Sequence, residues 1–231
     1  MKVAVVEFLG SNCDHDAEQW SSNLFGLDTS MIWYESGDLE GADLVILPGG
    51  FSYGDYLRSG AMAARTPVIE AVKKHAAGGG LVIGICNGFQ VLCESGLLPG
   101  ALLKNECLTF ICQDVYLRCE TKKSPFTRSI RTETLLRMPI AHGEGNYFTD
   151  PDTLIHLQEN DRIAFRYVNP EGKRDPAWNV NGSIDAIAGI LSEGRNVLGM
   201  MPHPERASEA ILQSEDGAAI LKSVVKTLGA K

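Results

Sequence analysis

Leu81-Val82-Ile83-Gly84-Ile85-Cys86-Asn87-Gly88 is the stretch that decides the fold. Its apolar run reads as a buried strand, and Phe89, Leu92 and Cys93 recur behind it at helical spacing, so a strand turns directly into a helix here. Glycines stand two residues before and two after Cys86. They suit a turn so tight that those two positions nearly touch, where only glycine fits. Cys86 is therefore predicted to sit in a strained conformation with its sulfur exposed at the end of a sheet. The helix start beneath it favours the thiolate, the reactive form of the group.

A cysteine after an apolar run is more often core than catalytic, and the five-residue motif alone does not separate the two. Met201-Pro202-His203-Pro204-Glu205 tips the balance, because it supplies a base and a carboxylate near another strand end. The prolines bias Met201 and His203 toward extended backbone. Extended residues two apart point to the same side, so the imidazole and the Glu205 carboxylate can meet. A cysteine, histidine and carboxylate in this relation read as an acyl-transfer triad.

Outward from Cys86, apolar runs predict strands at Val3 to Phe8, Met31 to Tyr34 and Asp43 to Leu47. Ala17, Trp20, Leu24 and Phe25 mark a first helix, and Thr66-Pro67 starts a second, with threonine as cap and proline in the first turn. Alternating strand and helix implies a parallel sheet with right-handed crossovers. The second half is richer in strand: Phe110 to Leu117, Leu135 to Ala141, Ile163 to Val168, Ile184 to Leu191 and Val197 to Met201. Ile220, Leu221, Val224, Val225 and Leu228 make a closing helix ended by Gly229. The expected architecture is one α/β domain over residues 1–231: a mostly parallel central sheet of flavodoxin-like type, helices on both faces, and extra antiparallel strands in the second half. No repeat or domain boundary interrupts it, and 169–183 is the one long irregular stretch.

Composition narrows the function. The 231 residues include 44% hydrophobic and 22% charged side chains, ordinary for a globular protein. A formal net charge of -8 argues against a nucleic-acid or anionic membrane partner. The run from Val3 to Val6, broken by Glu7, is too short for the apolar region of a signal peptide, and nothing approaches a membrane span. The six cysteines show no C-x-x-C pair; reduced thiols in the cytoplasm, and no metal, are the expectation.

Ligands of open α/β sheets bind beyond the carboxyl ends of the strands. Pro48-Gly49-Gly50, Cys86 and His203 all reach that edge. A thiolate attacking a carbonyl carbon makes an oxyanion that needs preorganised N–H donors. The backbone N–H groups of Asn87, at the helix start, and of Gly49-Gly50, where no side chain blocks approach, are the candidates. Taken alone, Pro-Gly-Gly is an ordinary turn. His142, in Ala141-His142-Gly143-Glu144-Gly145-Asn146, follows an apolar strand and suits a substrate pocket better than a catalytic post. His15, His75 and His156 read as surface or helix positions.

Gly84 to Gln90 together with Pro202 to Glu205 resembles the class I, or triad, glutamine amidotransferases. Ser11-Asn12-Cys13-Asp14, the string Pro48 to Arg58, and Ala141 to Tyr147 are similar to one branch of that class. It is the branch that supplies ammonia to phosphoribosylformylglycinamidine synthase in de novo purine biosynthesis. The resemblance runs over nearly the whole chain; Leu9 departs from it, standing where the branch often has proline.

What the resemblance implies is L-glutamine hydrolysis on Cys86, with His203 and Glu205 completing the triad. Gly50 and Asn87 would offer the oxyanion N–H groups, and Gly49, Gln90, His142 and Asn146 would lie near the glutamine. It also implies a large synthetase subunit and a small third subunit as partners, with ATP and magnesium on the synthetase and no cofactor on this chain. The chain's own residues agree, since they contain no G-x-x-x-x-G-K-[ST] phosphate loop. Phe51, Tyr53 and Tyr56 either contact the partner or pack their own loop. The rival readings are a partner-independent cysteine hydrolase or peptidase on the same scaffold, an amidotransferase serving another acceptor, and a flavodoxin-like binding module with Cys86 merely packed.

Overall fold

A computed structural model describes residues 1–229. The apolar runs of the first half form β1 (Lys2–Glu7), β2 (Asp28–Trp33), β3 (Leu44–Leu47) and β4 (Leu81–Ile85). Between and after them lie α1 (Asp14–Phe25), α2 (Pro67–Ala77) and α3 (Asn87–Glu94). The second half adds β5 (Ala101–Leu103), β6 (Ile111–Cys119), β7 (Leu135–His142), β8 (Asn146–Phe148) and α4 (Pro151–Glu159). β9 (Ile163–Val168), β10 (Ile187–Leu191), β11 (Val197–Met200) and α5 (Ala218–Leu228) complete the chain.

Nine strands form one sheet in the order β2-β1-β3-β4-β11-β10-β9-β6-β7, and β5 pairs with β8 apart from it. The pairings from β2 to β11 are parallel; the last four strands extend the sheet antiparallel. From β1 the chain steps through α1 to β2 in one direction, and from β3 through α2 to β4 in the other. With right-handed crossovers those opposite steps put α1 and α2 on opposite faces. The reversal of direction, between β1 and β3, is where such sheets open a crevice at their carboxyl edge. β3 and β4 are buried at every residue, as strands covered on both faces must be.

Three sequence expectations shift. β2 begins at Asp28 rather than Met31, because pairing Lys2↔Asp28 along β1 extends it through half-buried polar residues. Residues 184–186 form a 3-10 turn ahead of β10 instead of its first half. Thr66 does stand at the N-cap of α2, yet its hydroxyl makes no cap hydrogen bond and donates to the Ala63 carbonyl at 2.7 Å. The 169–183 stretch packs against the body: Trp178 meets Tyr116 edge-on, and buried Asn181 donates to the Gly145 carbonyl at 2.8 Å. No helix among the described residues is long and apolar enough to cross a membrane.

Candidate active site

Parallel pairing of β4 with β11 sets Ile85 opposite Met200. Cys86 therefore leaves one strand beside the point where the chain runs on to His203 from the next. The Cys86 N–H donates to the Met200 carbonyl at 2.8 Å, and the His203 N–H to the Pro139 carbonyl at 2.9 Å, pinning both to the sheet edge. Cys86 has φ 50° and ψ -106°, a conformation that L-residues avoid, and it immediately precedes α3. The flanking glycines are required: a Cβ on Gly84 would meet the Gly88 carbonyl oxygen at 2.6 Å, and one on Gly88 the Leu47 oxygen at 2.0 Å.

The expectation of an exposed sulfur needs correction. Cys86 is only 5% exposed, its sulfur lying 3.8 Å from the Ala141 carbonyl oxygen. It is nonetheless not sealed in the core. It lines a recess of about 150 Å³ together with Gly50, His203, Cys13 and Arg206. A narrow extension of that recess runs past Gln90, His142, Glu144, Asp55 and Ser59. A larger cleft of about 810 Å³, near Leu97, His156 and Glu193, opens at the opposite ends of the strands and shares no residue with Cys86.

His203 Nδ1 lies 2.6 Å from Glu205 Oε1, and both side chains are buried. A carboxylate only accepts, so Nδ1 donates and Nε2 is left for chemistry. Nε2 has no hydrogen-bond partner. The pair meets across a 3-10 turn, Pro204–Arg206, rather than along one extended side as the sequence suggests. Burial opposes charge on the imidazole, but the Glu205 carboxylate, with Cys86 and Cys13 beside it, outweighs burial and holds His203 well above its ordinary value. His142 goes the other way. Burial, with His203 nearby, pushes it down to about 4. It stays neutral, held by Asn105 at 3.0 Å.

Asn87 is the first residue of α3, where the backbone N–H has no intrahelical acceptor. Gly50 lines the same recess with φ 149°, and a Cβ there would strike Ser11 Cα at 2.8 Å. Both expected oxyanion positions thus border Cys86. Gly49 lies against His203 and Cys13. Gln90 donates to the Glu144 carbonyl at 2.7 Å and lines the extension next to His142. Asn146 is the exception: it sits in β8 opposite Leu103 and lines neither space.

Sequence reasoning missed Cys13, Arg206 and Phe110 as lining residues, and the Asp55 carboxylate in the extension. Glu144, which accepts from the Ser59 hydroxyl at 2.8 Å, falls within the His142 to Asn146 region that the resemblance places near the glutamine. In the 51–58 loop, Tyr53 packs edge-on against Tyr34, whereas Tyr56 and Leu57 are 74% and 91% exposed.

Fold and recess define the class, and comparison agrees: a family model of the CobB/CobQ-like glutamine amidotransferase domain matches residues 1–221. The phosphoribosylformylglycinamidine synthase subunit PurQ of Koribacter versatilis is 56% identical over 97% of both chains. That of Methanosarcina acetivorans is 51% identical, again over 97% of each. A chain in the solved structure of PurLQS from Thermotoga maritima has 43% identity, covers 98% of both chains, and superposes with a TM-score of 0.87. The chain belongs to the PurQ family of glutamine amidotransferases.

Proposed function

We infer that this chain is the glutaminase subunit of phosphoribosylformylglycinamidine synthase, acting with a large synthetase subunit and a small third one in purine biosynthesis. The observation that carries the reading is a strained cysteine ahead of α3 sharing one recess with a buried His203–Glu205 pair.

Cys86 Sγ attacks the side-chain amide carbon of L-glutamine. The oxyanion that forms is met by the N–H groups of Asn87 and Gly50; losing one such donor typically costs ~100- to 1000-fold in turnover. His203, which carries the proton given up by the Cys86 thiol, passes it from Nε2 to the departing nitrogen as the C–N bond breaks. Ammonia leaves and a glutamyl thioester remains on Cys86. Water then attacks the thioester, His203 takes its proton, and glutamate is released. Glu205 holds the imidazole in the tautomer both steps need.

The sequence carries no phosphate loop, so the ATP-dependent step, with its magnesium, belongs to the partner, and the ammonia must pass to it. A cytoplasmic setting fits free thiols on all six cysteines. The test is reconstitution with purified synthetase subunits, ATP and formylglycinamide ribonucleotide. Glutamine should support amidine formation, and Cys86→Ser should abolish it while ammonium salts still serve. Glutamine-driven synthesis that survives Cys86→Ser would overturn the reading.

A further inference from the structure

Cys13 is a second sulfur in the recess, and the reaction above makes no use of it. It ends the turn between β1 and α1, is 3% exposed, and its N–H donates to the Gly49 carbonyl at 3.3 Å. Its Sγ accepts a hydrogen bond from Arg206 Nη2 at 3.1 Å, and Arg206 Nε is in turn held by Asp16 at 2.9 Å. Cys13 Sγ, a ring nitrogen of His203 and a carboxylate oxygen of Glu205 all lie within 4.8 Å of one another. Gly49 keeps the gap between sulfur and ring open: a Cβ there would stand 2.7 Å from His203 Cε1 and 2.9 Å from Cys13 Sγ. Two buried atoms of the group, His203 Nε2 and Glu205 Oε2, have no partner. Acyl transfer accounts for the first and leaves the second unexplained.

We propose that Cys13, His203 and Glu205 form a binding site for a borderline-soft divalent cation, Zn²⁺ above all, whose occupation switches the glutaminase off. Thiolate, imidazole and carboxylate are the ligands zinc takes, whereas magnesium and calcium prefer oxygen alone. Bonds of about 2.0 to 2.3 Å hold tetrahedral donors roughly 3.3 to 3.8 Å apart, so the widest pair closes by at most about 1 to 1.5 Å, while Nδ1 and Oε1, now 2.6 Å apart, spread if both bind. Two anionic ligands match the charge of the dication, and the thiol and imidazolium protons leave to solvent as it binds. The recess is the entry path, and the Arg206 N–H on the sulfur is the outer partner that orients the ligand.

Either ring nitrogen gives the same outcome. Metal on Nδ1 replaces the proton shared with Glu205, and metal on Nε2 displaces the proton that serves the leaving nitrogen. Proton transfer stops in both cases. This inhibitory consequence rests on the glutaminase reading, but the binding does not, so the test is made without turnover.

The chain to use is Cys86→Ser/Cys107→Ser/Cys112→Ser, which removes the nucleophile and both exposed thiols. The remaining Cys93 and Cys119 are held protonated by burial. Titration with Co²⁺ should give one ion per chain, a thiolate-to-cobalt charge-transfer band, and displacement by Zn²⁺. Cys13→Ser in that background should abolish the band and raise the half-saturating Zn²⁺ at least about tenfold, since even an outer partner is worth about that much. Zinc-edge X-ray absorption of the triple variant, which needs no change at Cys13, should show a single sulfur ligand. A band that persists without Cys13, a zinc shell of nitrogen and oxygen alone, or no uptake of either ion overturns the proposal.

Discussion

Replacing Cys86 by glycine should leave the protein more stable than replacing it by alanine, with activity destroyed in both. At φ 50° and ψ -106° the residue lies outside the regions open to L-amino acids, and such positions cost about 1–3 kcal/mol. Glycine escapes that strain, but in ordinary backbone it is about 0.5–1 kcal/mol worse than alanine. Both Cys86→Gly and Cys86→Ala remove the sulfur, so lost packing largely cancels between them. The difference leaves Cys86→Gly ahead of Cys86→Ala by about 1 kcal/mol, the reverse of the usual order. For a chain of this length that is a melting shift of roughly 2–4 °C, readable by calorimetry at one pH and ionic strength. If Cys86→Ala melts at or above Cys86→Gly, the elbow stores no strain and the reasoning fails. A backbone that relaxes in the alanine variant would show as a changed φ in its crystal structure.

Other expectations follow from the same geometry. Gly49→Ala puts a methyl 2.7 Å from His203 Cε1, so kcat should drop by ~100-fold through a displaced imidazole; full activity would mean the recess is looser than described. Glu205→Gln removes the acceptor at 2.6 Å that fixes the tautomer, and kcat in steady-state glutaminase assays should fall ~10³- to 10⁴-fold with KM little changed; a matching rise in KM would instead indicate lost substrate binding. His142, pushed down to about 4 from 6.5 by burial, stays neutral in the fold but takes a proton when unfolded. The fold therefore loses stability as pH falls from 6.5 toward 4, by up to about 3 kcal/mol. Denaturant titrations of His142→Gln should show a correspondingly flatter pH dependence, and an unaltered slope would contradict the assignment.

Much of the molecule is legible in its residues, for local reasons. β4 and β9 appear where the apolar runs place them: β4 is buried at every residue and its signal is unbroken, and only Arg166 interrupts β9. The grouping of Cys86 with His203 and Glu205 is readable because Cys86 and the His203–Glu205 pair each sit in a short motif whose glycines or prolines dictate the backbone. α4 escapes reading although Asp150-Pro151 is a cap and first-turn pair, with Asp150 Oδ1 accepting from Thr153 N–H at 2.9 Å. Only Leu157 of that helix is buried, so almost no apolar periodicity marks it. Cys13 and Arg206 lie 193 residues apart and meet only when β1 and β11 end at one edge; no spacing rule reaches that far. Asn146 fails for the opposite reason. Its neighbours suggest a pocket, but pairing of β8 with β5 turns it elsewhere.

Reaction of the intact chain with a diazo-ketone analogue of glutamine, followed by peptide mapping, bears most directly on the central assignment. One equivalent should attach to the sulfur of Cys86, with glutamine protecting and Cys86→Ser abolishing the adduct. Attachment to another cysteine, or none at concentrations that label free thiols, would contradict it.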